Sequence, residues 1–364
     1  MTKRGEKILL PIIAVLLGFI LGSLIVIATG RSPVAMFAAM IKGFSGLDII
    51  NDVPWNTRYI GEFVINAMPI ILTGLAFAFA SRTGLFSIGA EGQLMVGSLA
   101  ATAVALLVQA PRFIHLPLVL LASIAAGALW GAVPGFLKAR FNVHEVTVSI
   151  MMNYIALHLN NFVILNIFGS QDRVKTAFFP ETALLKSPFL QSITRGSRLN
   201  WGFIPVILAL IIFSFIINKT TFGYSLRAVG YNKDASRYAG MKVNRNIVLS
   251  MMIAGAFAGL AGSVITVGTF NFGRAMSAAE GYGFDGIAVA LVGGNEASGI
   301  LFAGMLFGML KSAQPLMQSQ GIPREIAGII QASIVLFVAM QYGIKMLLER
   351  FKKKQAVTAD GDRA

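Results

Sequence analysis

No cysteine occurs in the 364 residues. Disulfides, thiolate metal sites and thiol nucleophiles are therefore excluded. Charge is scarce as well. Asp, Glu, Lys and Arg together make up 13% of the chain, against roughly 25% in an ordinary soluble domain. The three histidines, His115, His144 and His158, are widely separated and suggest no metal cluster. No GxxxxGK(S/T) phosphate loop, HExxH or GxSxG motif is present, so the chain carries no recognisable site for nucleotide hydrolysis, zinc proteolysis or a serine nucleophile. What is there is apolar: 56% of the residues are hydrophobic. So little polar surface cannot coat a water-soluble body. A soluble enzyme, a disordered protein and a secreted disulfide scaffold are all excluded.

The apolar residues come in long runs. Ile8 to Ala28, Phe63 to Ala80, Leu116 to Leu137, Val146 to Phe168, Gly202 to Asn218 and Asn246 to Gly273 predict membrane-spanning helices, broken at most by an isolated polar residue. About ten crossings are expected: 8–28, 62–80, 86–108, 116–137, 146–168, 202–218, 247–270, 284–293, 299–312 and 325–343. The eighth and ninth are short and separated by Gly293-Gly294-Asn295-Glu296. They read as a broken pair that does not fully cross, and eight crossings with a re-entrant hairpin is the alternative. The fold class is thus an all-α polytopic membrane protein.

The formal net charge is +14. Basic excess hints at nucleic acid until its distribution is traced. Lys3, Arg4, Lys7, Arg82, Lys138, Arg140, the six bases of 219–246 and those from Lys345 onward all fall on one side when the spans are threaded. The positive-inside rule then places both termini in the cytoplasm. Lys352, Lys353 and Lys354, beside the last span, suit anionic lipid headgroups, and nucleic acid is not an expected partner. The first apolar run exceeds a signal-peptide core and has no clean cleavage site after it, so it reads as a retained anchor. One membrane domain is expected over 1–351, with an internal loop at 219–246, an external loop at 169–201 and a basic tail at 352–364.

Glycine, at 38 residues, is abundant. The pairs Gly18/Gly22, Gly255/Gly259 and Gly304/Gly308, and the triple Gly127/Gly131/Gly135, have the spacing that lets helices approach closely in lipid. Polar residues within spans are costly and mark either a path or a lock. Glu91 is the sharpest, on a stripe with Ser87, Met95, Ser98 and Thr102 and close to Gln93. Glycines 84, 89 and 92 predict a broken helix there, a device common at transport sites. The carboxylate either faces a solute or caps a neighbouring half-helix. Ser149, Asn153 and Asn160 form a second stripe, suited to reading hydroxyls or base edges of a neutral solute, or to bonding across helices. Asn271 and Phe272 stand at the outer end of a span, as part of a mouth or of a turn.

Residues 221–241 run from Thr221-Phe222-Gly223-Tyr224-Ser225-Leu226-Arg227 through Gly230, Asn232, Asp234, Ala235 and Ala239-Gly240. This pattern, LRAVGxNxxAxxxAG, resembles the cytoplasmic loop of binding-protein-dependent ABC importer permeases, of the group that handles ribose, branched-chain amino acids and nucleosides. Gly283-Phe284-Asp285-Gly286 through Gly293-Gly294 is a second mark, and residues 87–97, SIGAEGQLMVG, a third that is typical of the nucleoside branch. Ser87 replaces the asparagine usual in that branch, and Ser236 a common alanine.

The resemblance implies a permease subunit importing nucleosides across a bacterial cytoplasmic membrane. Simple sugars and branched-chain amino acids are the alternatives, and an ion-coupled carrier is the competing class. It implies cytoplasmic ATPase subunits, which bind the ATP, so that this chain needs no cofactor and is no enzyme. It implies a second permease copy or paralogue, and an external lipoprotein or periplasmic receptor. Arg227, Gly230, Asn232, Asp234, Ala235 and Gly240 are the expected coupling residues. Glu91, Gln93, Ser87, Ser149, Asn153, Asn160, Asn271 and Phe272 are the expected path. Gly240→Trp is expected to uncouple ATP hydrolysis from uptake, and unchanged coupling in that variant would refute the docking role.

Overall fold

Lipid offers the backbone no hydrogen-bond partner, so each apolar run must satisfy its own N–H and C=O groups by winding into a helix. The computed structural model describes residues 3–49, 54–169 and 174–340, and the expected tail at 352–364 lies outside them. The helices are α1 (Lys3–Ala28), α2 (Pro33–Ser45), α3 (Arg58–Ser81), α4 (Ala90–Leu107), α5 (Arg112–Phe141), α6 (Glu145–Asn166), α7 (Pro188–Ile193), α8 (Phe203–Lys219), α9 (Thr221–Tyr231), α10 (Lys233–Tyr238), α11 (Val243–Ser263), α12 (Tyr282–Val292), α13 (Ala297–Ser319) and α14 (Glu325–Ala339). A π-helical stretch, Val264–Phe270, prolongs α11. Only isolated bridges, and no strands, occur among the described residues.

Seven of these helices are long and apolar enough to span a bilayer, or eight when α8 and α9, bent by 72° at their junction, count as one. Among the described residues the count of about ten is thus approximate, and the tenth stretch is followed only to residue 340. Each of the ten apolar stretches contains a helix among the described residues, but α12 has 11 residues and α14, as described, 15. The ninth stretch, expected to be short, is instead the 23-residue α13. Lys311 interrupts the apolar pattern there. In the fold its Nζ pairs with Asp285 Oδ2 at 3.0 Å and lies 3.6 Å from the centre of the Tyr282 ring. A charge so compensated lets the helix continue to Ser319. The helix α2 had no counterpart in the reading, because Lys42 breaks its apolar run. That lysine pairs with Asp48 at 2.7 Å.

The hub is α3, whose span is 89% buried. It packs against α8, α11, α12 and α13. Phe79 of α3 meets Phe213 of α8 and Phe257 of α11 at ring separations of 6.0 and 6.1 Å. The spaced glycines stand at helix crossings. Gly18 and Gly22 of α1 face Ile334 and Ile330 of α14, and Gly304 and Gly308 of α13 face Ile71 and Ala67 of α3. At the tightest crossing α4, α5 and α11 meet backbone to backbone through Gly97, Gly127, Gly255 and Gly259. A Cβ added at Gly127 would stand 2.7 Å from the Gly259 Cα and 2.9 Å from its nitrogen. Neither atom can swing aside. Gly127→Ala is therefore expected to lower stability by about 1–3 kcal/mol through overpacking. Thermal unfolding of the purified protein in detergent measures this, and an unchanged transition would refute the close crossing.

Candidate functional site

The chain turns sharply after α3 and runs without helix from Leu85 to Ile88 before α4 begins. The turn is anchored at Thr83, whose Oγ1 lies 2.8 Å from the Ser250 hydroxyl. Gly84 has φ +73°, a left-handed conformation open to glycine at little cost. Two short or interrupted helices then meet head to head. Glu91, in the first turn of α4, directs both carboxylate oxygens at the start of α12. Oε1 accepts from the Gly281 amide at 2.9 Å and Oε2 from the Gly283 amide at 2.5 Å. Those amides are among the orphan donors of a helix N-terminus, where a carboxylate is also favoured by the macrodipole. Both Glu91 oxygens are thus engaged with protein, in the capping geometry.

The second polar stripe lies on the side of α6 that faces α4. Asn153 donates to the Ile88 carbonyl at 3.0 Å and accepts from the Gly92 amide at 2.9 Å. Asn160 donates to the Arg274 carbonyl at 3.1 Å. Its neighbour Asn161 both donates to and accepts from the Met276 backbone, at 2.7 and 2.8 Å. These amides hold α6 to the break before α4 and to the segment after the π-helical turn. Gln93 and Ser149 differ. They are 1% and 0% exposed, and neither the Gln93 carboxamide nor the Ser149 hydroxyl has a hydrogen-bond partner among the described residues. They are neighbours, since a Cβ on Gly89 would lie 3.1 Å from Gln93 Nε2 and 3.3 Å from Ser149 Oγ. Ser87 is buried in the break itself. Asn271 ends the π-helical stretch at φ +64°, and its side-chain oxygen is buried with no partner among the described residues. The Phe272 ring meets Phe178 edge-on at 5.5 Å.

The segment 221–240 forms a small helical hairpin, α9 and α10. Asn232 separates the two helices, its Oδ1 accepting from the Asp234 and Ala235 amides at 3.0 and 2.9 Å to cap α10. Gly240 has φ +79° with open space around it, so it is needed for its left-handed backbone and not for room. Gly230 is needed for room. A Cβ there would lie 3.0 Å from the Gly84 nitrogen and 3.0 Å from the Thr83 carbonyl carbon. Tyr231 and Tyr238 are 92% and 98% exposed, while Ser236 alone of α10 is buried. Asp234 and Ala235 are exposed, and Arg227 is half-buried.

This polytopic bundle has a counterpart among known proteins. A family described as branched-chain amino acid transport system / permease component matches residues 59–339. The chain belongs to this permease family. It is similar to the guanosine ABC transporter permease NupP of Bacillus subtilis, at 49% identity over 98% of this chain and 100% of that one. The nucleoside ABC transporter permease NupB of Lactococcus lactis is 38% identical over 100% of both. The glucose ABC transporter permease TsgB13 of Haloferax volcanii is 32% identical over 88% of this chain and 84% of that one.

Three features of the permease escaped the sequence reading. Asp285 of α12 is a second acid within a span, paired with Lys311 of α13. Arg82 is a latch. Its guanidinium donates to the Asn295 carbonyl at 2.9 Å and pairs with Glu296 at 2.5 Å, tying the turn after α3 to the turn after α12. Arg274 pairs with Glu280 at 2.5 Å and stacks 3.6 Å from the Phe270 ring centre, bracing the segment between α11 and α12. Each joins positions far apart in sequence, which only the topology brings together.

Proposed function

We propose that this permease subunit carries nucleosides inward across the cytoplasmic membrane as part of an ABC importer. The observation that carries the reading is identity with NupP over essentially the whole of both chains. Cytoplasmic ATPase subunits dock on the α9–α10 hairpin of the 219–246 loop. Two tyrosines almost fully exposed beyond the bundle support that reading, since large aromatics left bare in this way mark protein contacts. ATP is bound by those subunits, and this chain holds no cofactor and makes no covalent bond. A second permease, identical or paralogous, completes the membrane part, and an external lipoprotein or periplasmic receptor delivers the solute to the side bearing the 169–201 loop. Of the expected path residues, Gln93, Ser149 and Asn271 retain unspent hydrogen-bonding capacity among the described residues, as a solute path requires.

The glucose permease relative favours simple sugars as the second reading. The assembled transporter reconstituted in vesicles separates them. Labelled guanosine and adenosine are expected to accumulate only with ATP, and glucose, ribose and leucine are not. Sugar uptake without nucleoside uptake would overturn the assignment in favour of the second reading, and nucleoside uptake independent of ATP would overturn the ABC mechanism.

A further inference from the structure

On the cytoplasmic side the chain bends by 72° between α8 and α9 and returns to the membrane at the start of α11. A cavity of about 270 Å³ lies between α9 and the beginning of α11. Lys242 and Arg245 stand at its exposed rim. Phe222, Met241 and Leu249, each half-buried, give it an apolar wall. Leu249 lies about 9 Å along α11 from Val243, by the rise of the helix. The wall therefore reaches from the membrane surface into the span.

The polar groups of this cavity are unspent. Asp234 is the only acid from 219 to 279, and neither Lys242 nor Arg245 has an acidic partner among the described residues. Asn246 lines the cavity and is 7% exposed, yet its carboxamide makes no hydrogen bond among the described residues. The amides of Asn244 and Arg245, in the first turn of α11, have no acceptor there either. Two cations, a free carboxamide and the positive end of a long helix make a seat for an anion. A small soluble anion would use only the rim. The apolar wall calls for a ligand that is apolar behind its charge. The cytoplasmic leaflet supplies that combination, since its anionic lipids carry a phosphate above acyl chains. Tyr231 and Tyr238, to which ATPase docking is ascribed, do not line the cavity.

We infer that this cavity binds one anionic phospholipid of the cytoplasmic leaflet. Lys242, Arg245, Asn246 and the first amides of α11 hold its phosphate, and Phe222, Met241 and Leu249 take the glycerol end and the first acyl carbons. The inference rests on the orientation of the chain and not on the solute it carries.

The test counts lipids retained by the assembled transporter in a neutral detergent, by native mass spectrometry. The probe is dioleoyl phosphatidylglycerol, with dioleoyl phosphatidylcholine as the zwitterionic reference. One phosphatidylglycerol per copy of this chain is expected, held about tenfold or more tightly than phosphatidylcholine. Lys242→Gln with Arg245→Gln is expected to weaken it about thirtyfold, and Arg245→Gln alone, which serves if the double variant fails to assemble, about fivefold. Lys233→Gln with Arg237→Gln removes the same charge from the exposed α10 and is expected to change nothing. Met241→Trp fills the cavity without altering charge and is expected to release the lipid. Equal loss in the α10 variant would mean diffuse surface attraction and overturn the site, as would undiminished retention in the rim variants or in Met241→Trp. Displacement of the lipid by equimolar inorganic phosphate would overturn it in favour of a soluble anion. Phosphatidylglycerol bound by the permease alone but absent from the assembled transporter would overturn it by giving the cavity to the ATPase.

Discussion

Glu91→Leu is expected to cost the permease about 3–5 kcal/mol, because it strips hydrogen bonds from two buried backbone amides at once. The Gly281 and Gly283 N–H groups, at 2.9 and 2.5 Å from the carboxylate, head a helix that starts inside the bundle. Leucine leaves both without an acceptor, and each buried orphan donor costs roughly 1–3 kcal/mol, more when its lost partner was charged. Glu91→Gln keeps one oxygen but turns an NH2 group toward the other amide, so an intermediate loss is expected. Glu91→Asp keeps the charge but is one methylene short of spanning both donors. The expected order of thermal stability is Glu, then Gln and Asp, then Leu. Uptake is expected to follow the same order, because the cap holds α12 against α4. Stability equal to wild type with uptake abolished would instead assign Glu91 to the solute, since a solute contact need not support the fold.

The helices were legible because their signal is one-dimensional. An apolar run of sufficient length must be helical in lipid, so α1, α3, α5, α6 and α11 fall close to their expected places. The ends failed where a charge interrupts the run. Lys42 hid α2, whose compensating acid, Asp48, is recognisable only in the folded chain. The reading of Glu91 left two roles open, and the geometry at its oxygens is that of a cap. For α6 the difficulty was one of facing. Ser149, Asn153 and Asn160 repeat with helical spacing, and so do Tyr154 and His158. Periodicity finds both stripes but does not tell which meets protein. The asparagine amides decide it, by reaching backbone on the α4 side. The marks at Gly230, Asn232 and Gly240 were visible as letters, and their reasons are three different ones: close approach, a cap and a left-handed turn.

Gly230→Val is expected to reduce coupled uptake by about tenfold or more while leaving the bundle folded. The added Cβ meets the backbone at Thr83 and Gly84, at 3.0 Å to each of two atoms, so it drives the end of α9 away from the turn after α3. That turn is the junction of a closed mechanical loop. Arg82 ties it to Asn295 and Glu296 at the foot of α12. The stretch 85–89 ties it to α4, whose Glu91 holds the head of α12. A displacement of the α9–α10 segment is therefore expected to reach both ends of α12 through this turn. Coupling through such a contiguous element is typically altered by 0.5–2 kcal/mol on mutation, and a full backbone clash stands at the upper end. The hairpin lies at the edge of the bundle, so the thermal transition is expected to move by only a few degrees. ATPase activity of the assembled transporter is expected to persist and to lose its dependence on solute, since the proposed docking surface at Tyr231 and Tyr238 is untouched while its link to α12 is broken. Arg82→Ala cuts the same loop at its other junction and is expected to share the phenotype. Its combination with Gly230→Val is expected to be no worse than either alone, because two breaks in one path are not additive. Full additivity in that double variant, or normal uptake in Gly230→Val, would show that the hairpin acts on the path by another route.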